Sequence, residues 1–288
     1  MTFSQPLPSY LAEPSRLGDE ISITGKWVPS KPGGRFRSSE ESREMLAEWE
    51  DIHQGARADT GVLSTEINHA VGEDAVLVHH VFENSDALVH YFSTTATEHM
   101  GPLTAIAKPD LHLVRGIEVP LNAREAVQAK GVDAAFGEYL FGFVKDDDHM
   151  PDPASAINVT AKWTTKPSDT SKLDELIYWW QRVATDAFDL EQGMVRLEAY
   201  RVIGEDALII HEVFDSTKEL KFHLTKGTAD RYKKDIDLIA EPEAYFFRGP
   251  VSWTIRTYSK FLHLPATYSS QGSHFTQAGG SMSEGTTA

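Results

Sequence analysis

A chain of 288 residues with 41% hydrophobic and 10% aromatic residues carries enough apolar material for two ordinary folded domains. Its 27 Lys and Arg stand against 43 Asp and Glu, a formal net charge of −16 that repels nucleic-acid phosphates and anionic membrane surfaces, so neither is an expected partner. The absence of cysteine removes disulfides, thiolate nucleophiles and cysteine-ligated metals, and the lack of a leader-like start or of an apolar run of ~18 residues makes the cytoplasm the expected location.

Residues 1–20 read as an N-terminal arm. The segment 21–29, ISITGKWVP, alternates and is rich in Ile, Thr and Trp, which marks a strand. A capping box from Ser38 to Glu41 opens a helix over 38–58 that places Met45, Trp49, Ile52 and Ala56 on one face. Strands at 62–71 and 75–82, joined at Gly72-Glu73-Asp74, form a hairpin; a second helix starts near Ser85, and LHLVRGIEV at 111–119 closes the unit. A first unit over 21–120 follows. In the connecting segment 121–156, AREAVQAKG is helical in pattern, EYLFGFV is an aromatic run and DDDHMPDPAS reads as a linker.

The second unit, 157–255, repeats the order. A strand at 157–165 precedes a helix over 171–187 with Leu173, Ile177, Trp180 and Ala184 on one face. Hairpin strands at 194–203 and 207–214 meet at Gly204-Glu205-Asp206, a helix begins near Ser216, and AYFFRGPVS at 244–252 closes the unit. The extension 256–288 is Ser/Gly/Thr-rich and aperiodic from about Pro265, the composition of a disordered tail.

The two units are copies. GEDAVLVHHVFENS at 72–85 and GEDALIIHEVFDST at 204–217 are identical at seven of fourteen positions, and Gly204 and His211 both lie 132 positions after Gly72 and His79. Lys26-Trp27 matches Lys162-Trp163, and Arg115-Gly116 matches Arg248-Gly249, at slightly different offsets. The order strand, helix, hairpin, helix, strand is the ferredoxin-like βαββαβ arrangement, which leaves one sheet face bare. Two copies in one chain cover it by packing sheet to sheet.

The stretch LEAYRVIGEDALIIHEVFDSTKELKFHLT resembles the one that marks the antibiotic biosynthesis monooxygenase family. Its features are the strand end Glu212-Val213-Phe214, the acidic Asp215, Glu219-Leu220 and a helix histidine, His223; the first copy offers His80-Val81-Phe82, Glu83, Ala87-Leu88 and His90. The first copy departs from the pattern, with His80 in place of the strand glutamate and Tyr91, not His90, at the constant offset from His223. The resemblance implies an α+β fold, the dimeric α+β barrel, here as a single-chain pseudo-dimer that could pair again as a homodimer. It also implies a pocket under the second helix of a unit. Family activities include cofactor-independent oxygenation of aromatic compounds and haem degradation.

His90 and His223 are the first candidates for catalysis. A neutral imidazole there could take a proton from a phenolic substrate, whose anion reacts with oxygen, or could ligate haem. His79 and His80 cannot share one metal ion, because successive strand side chains point to opposite faces. His79 and its counterpart His211 are either hydrogen-bonded core histidines or catalytic ones. Trp27 and Trp163 on the first strands, with Tyr91, form a pocket wall or simply core; Arg115 and Arg248 anchor a substrate anion or make surface ion pairs. Seven of the 12 histidines lie in the first copy, which places the expected active site there.

No G-x-S-x-G, Walker, G-x-G-x-x-G or H-E-x-x-H pattern occurs. The expected function is oxygenation of a small phenolic or quinol-like aromatic without metal or other cofactor. A haem-binding or haem-degrading barrel and a non-catalytic ligand-binding barrel stay open as alternatives.

Overall fold

The structure is a computed structural model that describes residues 8, 11, 19–31, 39–56, 58–59, 61–70, 74–115, 119–132, 134–145, 155–168, 171–247, 266–268 and 273–276, with side chains except at 69, 111–115, 247 and the last two segments. The first copy runs β1 (Ile21–Pro29), α1 (Glu40–Ala56), β2 (Val62–His69), β3 (Val76–Phe82), α2 (Ser85–Ser93), α3 (Thr97–Ile106) and β4 (Ala107–Arg115). Then come α4 (Leu121–Gln128) and β5 (Ala134–Val144). The second copy runs β6 (Ile157–Thr165), α5 (Leu173–Leu190), β7 (Met194–Val202), β8 (Ala207–Phe214), α6 (Thr217–Thr225), α7 (Thr228–Ile239) and β9 (Ala240–Phe247), followed by β10 (Ala266–Tyr268) and β11 (Ser273–Thr276).

Each copy makes an antiparallel sheet of one order, β4-β1-β3-β2 and β9-β6-β8-β7, as the ferredoxin-like reading requires. Trp27 stands opposite Val76 and Pro109, and Trp163 opposite Leu208 and Pro242, so the two copies also share their register. The closing strands start earlier than the sequence suggests, at Ala107 and Ala240, because Pro109 and Pro242 lie inside them. Proline there is tolerated where the strand lacks a second hydrogen-bonded neighbour: β4 pairs β5 only over Leu111–Leu113, and β9 pairs β10 only over Ala244–Phe246. The opening helix is capped one residue later than predicted, Ser39 Oγ accepting the Ser42 N–H at 3.0 Å.

The connecting segment is structural. Strand β5 pairs parallel with β4 over three residues and antiparallel with β7, joining the two sheets. The tail departs from its expected disorder in the same way, since β10 extends β9 and β11 extends β2. Open backbone donors and acceptors at a sheet edge can order even a weakly patterned segment. Both β2-type edges are covered by strands from outside the repeats, with Gly142 of β5 opposite Glu198 and His274 of β11 opposite Glu66. Strands β10 and β11 are the two ends of one eleven-strand ladder. The short link from Tyr268 to Ser273 reaches at most about 18 Å, so the ladder must curl until its ends meet.

Two large apolar cores lie between each sheet and its own helices, around Trp27, Trp49 and Phe82 in one copy and Trp163, Trp180 and Phe214 in the other. The layer between the sheets is more polar. Apolar clusters around Leu77 and Tyr245, and around Tyr200 and Ile209, share it with buried Thr24, Glu66, His79, Thr160, Glu198 and His211. Tyr245 of β9 donates its hydroxyl hydrogen bond to Asp110 of β4, tying the copies together. No described helix is long and apolar enough to cross a membrane.

Candidate active site

Strand alternation on β8 sends Glu212 to the helix-facing side together with Leu208, Ile210 and Phe214 of the second core, away from His211. Helix α6 buries Leu220, His223 and Leu224, so His223 meets Glu212 from above. The third member, Glu191, sits at the C-cap of α5 just before the turn at Gly193. His223 Nδ1 lies 2.8 Å from Glu191 Oε2, and its Nε2 lies 3.3 Å from Glu212 Oε1. The other oxygen of Glu191 accepts the backbone N–H of Thr228 at 2.6 Å, at the N-terminus of α7.

Burial alone would strip the charge from both partners. For His223 burial is outweighed by the Glu212 charge beside it and by the hydrogen bond to Glu191, which raise its pKa to about 10. Glu191, which burial would raise, is lowered to about 2 by its hydrogen bond to His223, the imidazolium charge and the Thr228 N–H. His223 is therefore an imidazolium clamped by carboxylates at neutral pH. The expected neutral imidazole base is overturned, because both ring nitrogens already face acceptors.

This cluster borders a cavity of about 60 Å³. Its walls include Trp163, Trp180, Leu224, Ile236 and Phe246, and the charged side chains reaching it are Glu212, His223 and Lys233. The indole of Trp163 meets that of Trp180 edge to face, with centroids 5.3 Å apart. An apolar pocket with a few convergent charged groups is the usual form of a small-molecule site.

The first copy has the same frame and different chemistry. At the constant offset of 132, Glu191, Glu212 and His223 become Asp59, His80 and Tyr91. Trp27 and Trp49 repeat the edge-to-face pair at 5.4 Å. His80 Nδ1 lies 2.7 Å from Thr65 Oγ1, and burial, with the His53 charge beside it, lowers its pKa to about 3. Tyr91 is buried 5.7 Å from the His80 ring, its phenol pushed far above its ordinary value by burial and by Asp59. This is an aromatic cluster with a neutral imidazole and a phenol where the second copy has its carboxylate–histidine pair.

The chain is built on the dimeric α+β barrel fold. A candidate monooxygenase from Fusobacterium nucleatum superposes with a TM-score of 0.50 at 12% identity, covering 79% of this chain and 90% of that one. A candidate monooxygenase from Lactobacillus acidophilus gives 0.47 at 12% identity over 78% and 91% of the two chains, and an anthrone oxidase-like protein gives 0.45 at 12% over 83% and 92%. At such identity the likeness speaks for the fold alone. No family model and no curated protein matches the sequence.

Of the residues singled out in the sequence, the structure brings His223 and Trp163 to the cavity. His90 is not at a pocket: its side chain is 62% exposed, with Nε2 4.0 Å from Asp59 Oδ2. The register explains the miss, since Tyr91 is the inward-facing residue on that helix turn. His79 and His211 lie between the sheets, their Nδ1 atoms 2.7 and 3.0 Å from the hydroxyls of Thr24 and Thr160. Trp27 and Tyr91 belong to the first core. The side chain of Arg115 and all of Arg248 fall outside the described residues.

The expectation of a first-copy site also fails for the residues described there, since His90 lies on a surface helix, His79 between the sheets and His80 in the core, while the histidine clamped by two carboxylates is in the second copy. Sequence reasoning missed Glu191 and Lys233 and did not use Glu212 as a site residue. The available signal was positional, as Asp59 and Glu191 each lie two residues before the matched Gly61 and Gly193.

Haem does not fit these residues. Both nitrogens of His223 are engaged by carboxylates, His90 faces solvent, and about 60 Å³ does not admit a porphyrin. Among the described residues no group of three or more His, Asp or Glu side chains is arranged to hold a metal ion.

Proposed function

We propose that the protein is a cofactor-independent monooxygenase acting on a small phenol or quinol in the second-copy cavity. The observation that carries this reading is the buried His223 ring, held between Glu191 and Glu212 at the wall of an otherwise apolar pocket. The sequence resemblance points the same way, and the dimeric α+β barrel fold is compatible with it. About 60 Å³ of cavity is room for roughly four or five waters, less than half of the about 150 Å³ that takes a benzene ring, so the walls must part to admit a single-ring ligand.

In this scheme Glu212 takes the phenolic proton and His223 stabilises the resulting phenolate in a site of low dielectric. The electron-rich ring passes one electron to oxygen, and the two radicals join at a hydrogen-bearing ring carbon ortho or para to the phenolate oxygen. The resulting peroxide anion takes the proton back from Glu212 to become a hydroperoxide; loss of the hydrogen on that ring carbon and of hydroxide, together as water, leaves a second carbonyl. A phenol and one oxygen molecule thus give a quinone and water, with no external reductant. Glu191 holds the imidazolium in place.

Oxygen uptake over a panel of phenols, hydroquinones and anthrones tests this. Labelled oxygen should enter the product, Glu212→Gln and His223→Gln should lower kcat by about a hundredfold or more, and His90→Ala should leave it unchanged. Absence of uptake across the panel, or uptake that survives Glu212→Gln, rejects the reading. A Soret band on haem titration would favour the haem alternative instead.

A further inference from the structure

Lys233 is in an unusual place for a lysine. On α7, Ala229, Lys233 and Ile236 recur at helical spacing and all three line the cavity, so Lys233 stands on the apolar stripe rather than on the solvent face. Its side chain is 25% exposed, against 1% for His223 and 8% for Glu212, which sets Lys233 at the mouth and the other two at the floor. Asp237, one turn on, is its ion-pair partner, and Asp237 does not line the cavity. Among the described residues, the three charged side chains that line it are one carboxylate and two cations. At the matching place the first copy offers Met100 and Gly101, neither a cation.

From this arrangement we infer that Lys233 selects the substrate: the cavity takes a single-ring phenol or quinol that carries a carboxylate at the end opposite the reacting hydroxyl. The inference rests on reading the second-copy cavity as the substrate site. The hydroxyl then reaches Glu212 at the floor while the carboxylate meets the ammonium at the mouth, in a charge-assisted hydrogen bond. Apolar walls between them fit the ring. In a chain of net charge −16, a cation at the entrance also offsets the general repulsion of an anionic ligand.

Calorimetric binding of 4-hydroxybenzoate and of 4-methylphenol to the full chain, measured without turnover under argon, tests the assignment. The wild type should favour the carboxylate by about tenfold or more, a preference that shrinks as salt rises. Lys233→Met should abolish the preference while leaving 4-methylphenol binding within about twofold, and Lys233→Arg should keep it. Binding of both ligands without preference, or a preference that survives Lys233→Met, overturns the role of Lys233 and leaves the cavity reading intact. If neither ligand binds the folded wild type, both readings fall, whereas binding with the expected preference but no oxygen uptake rejects the chemistry alone.

Discussion

His79 and His211, one from each copy, stack face to face across the sheet interface, with ring centroids 6.1 Å apart and planes 7° from parallel. Each is steadied by a threonine on the neighbouring strand, Thr24 or Thr160, so the contact sits where the two copies meet with matching parts. Such a ring pair contributes about 0.5–1.5 kcal/mol beyond the area it buries. A double-mutant cycle with His79→Ala and His211→Ala should give a coupling energy of that size in denaturant unfolding. Strict additivity would mean that the two rings stabilise the barrel independently.

Stability should be greatest near pH 6.5, with two different histidines limiting it. His80 stays neutral when folded, its pKa lowered from 6.5 to about 3 by burial and by His53. Its contribution is fully present above 6.5 and is lost as pH falls towards 3, because the unfolded chain takes up a proton that the folded one refuses. His223 has the opposite sign: raised from 6.5 to about 10, it contributes fully below 6.5 and loses that contribution as pH rises towards 10. Glu191, lowered from 4.5 to about 2, adds to the acid loss only below 4.5. Denaturation midpoints from pH 4 to 10 check this. His80→Gln should flatten the acid side alone, and His223→Gln the alkaline side alone.

The repeated scaffold was readable because its signals are local: alternation around Trp27 and Trp163, the Gly-Glu-Asp turns, and the amphipathic stripes containing Trp49 and Trp180. The site was only half readable. His223 stands out as a helix histidine, but Glu191 and Glu212 look like any of 43 acidic residues until the fold buries them against it. His90 misled for the same reason, since one residue along a helix turns a side chain by about 100° and exchanges core for solvent. The tail strands were invisible because sheet edges, not their own pattern, order them.

Gly227 is a close-approach glycine. A Cβ there would lie 2.5 Å from Glu191 Oε1 and 2.8 Å from His223 Cα, so Gly227→Ala must push Glu191 off its hydrogen bonds or shift α6. We expect a loss of about 1–3 kcal/mol of stability, as for other overpacked sites. The pKa of His223, followed by NMR, should move from about 10 towards 6.5, since one of its two carboxylates is displaced. An unshifted titration would show that the strain is absorbed elsewhere.

Lys145, just past the end of β5, belongs to neither repeat, yet it anchors the second-copy site. Its ammonium donates to the carbonyl of Ala187 at 3.0 Å and to that of Glu191, closing the last turn of α5, and lies over the rings of Phe143 and Phe188 at 5.6 and 5.8 Å. Burial lowers its pKa, against the pull of Glu191, Asp189 and Asp215. Lys145→Met keeps the apolar stem but leaves two partly buried carbonyls without this donor, at a cost of about 1–3 kcal/mol. Because one of those carbonyls belongs to Glu191 itself, its carboxylate should wander and the pKa of His223 should fall. The decisive comparison is between that titration and the thermal midpoint. A lower midpoint with an unchanged His223 pKa would make Lys145 a fastener of α5 and nothing more, whereas a fall in both makes the connecting strand part of the active-site frame.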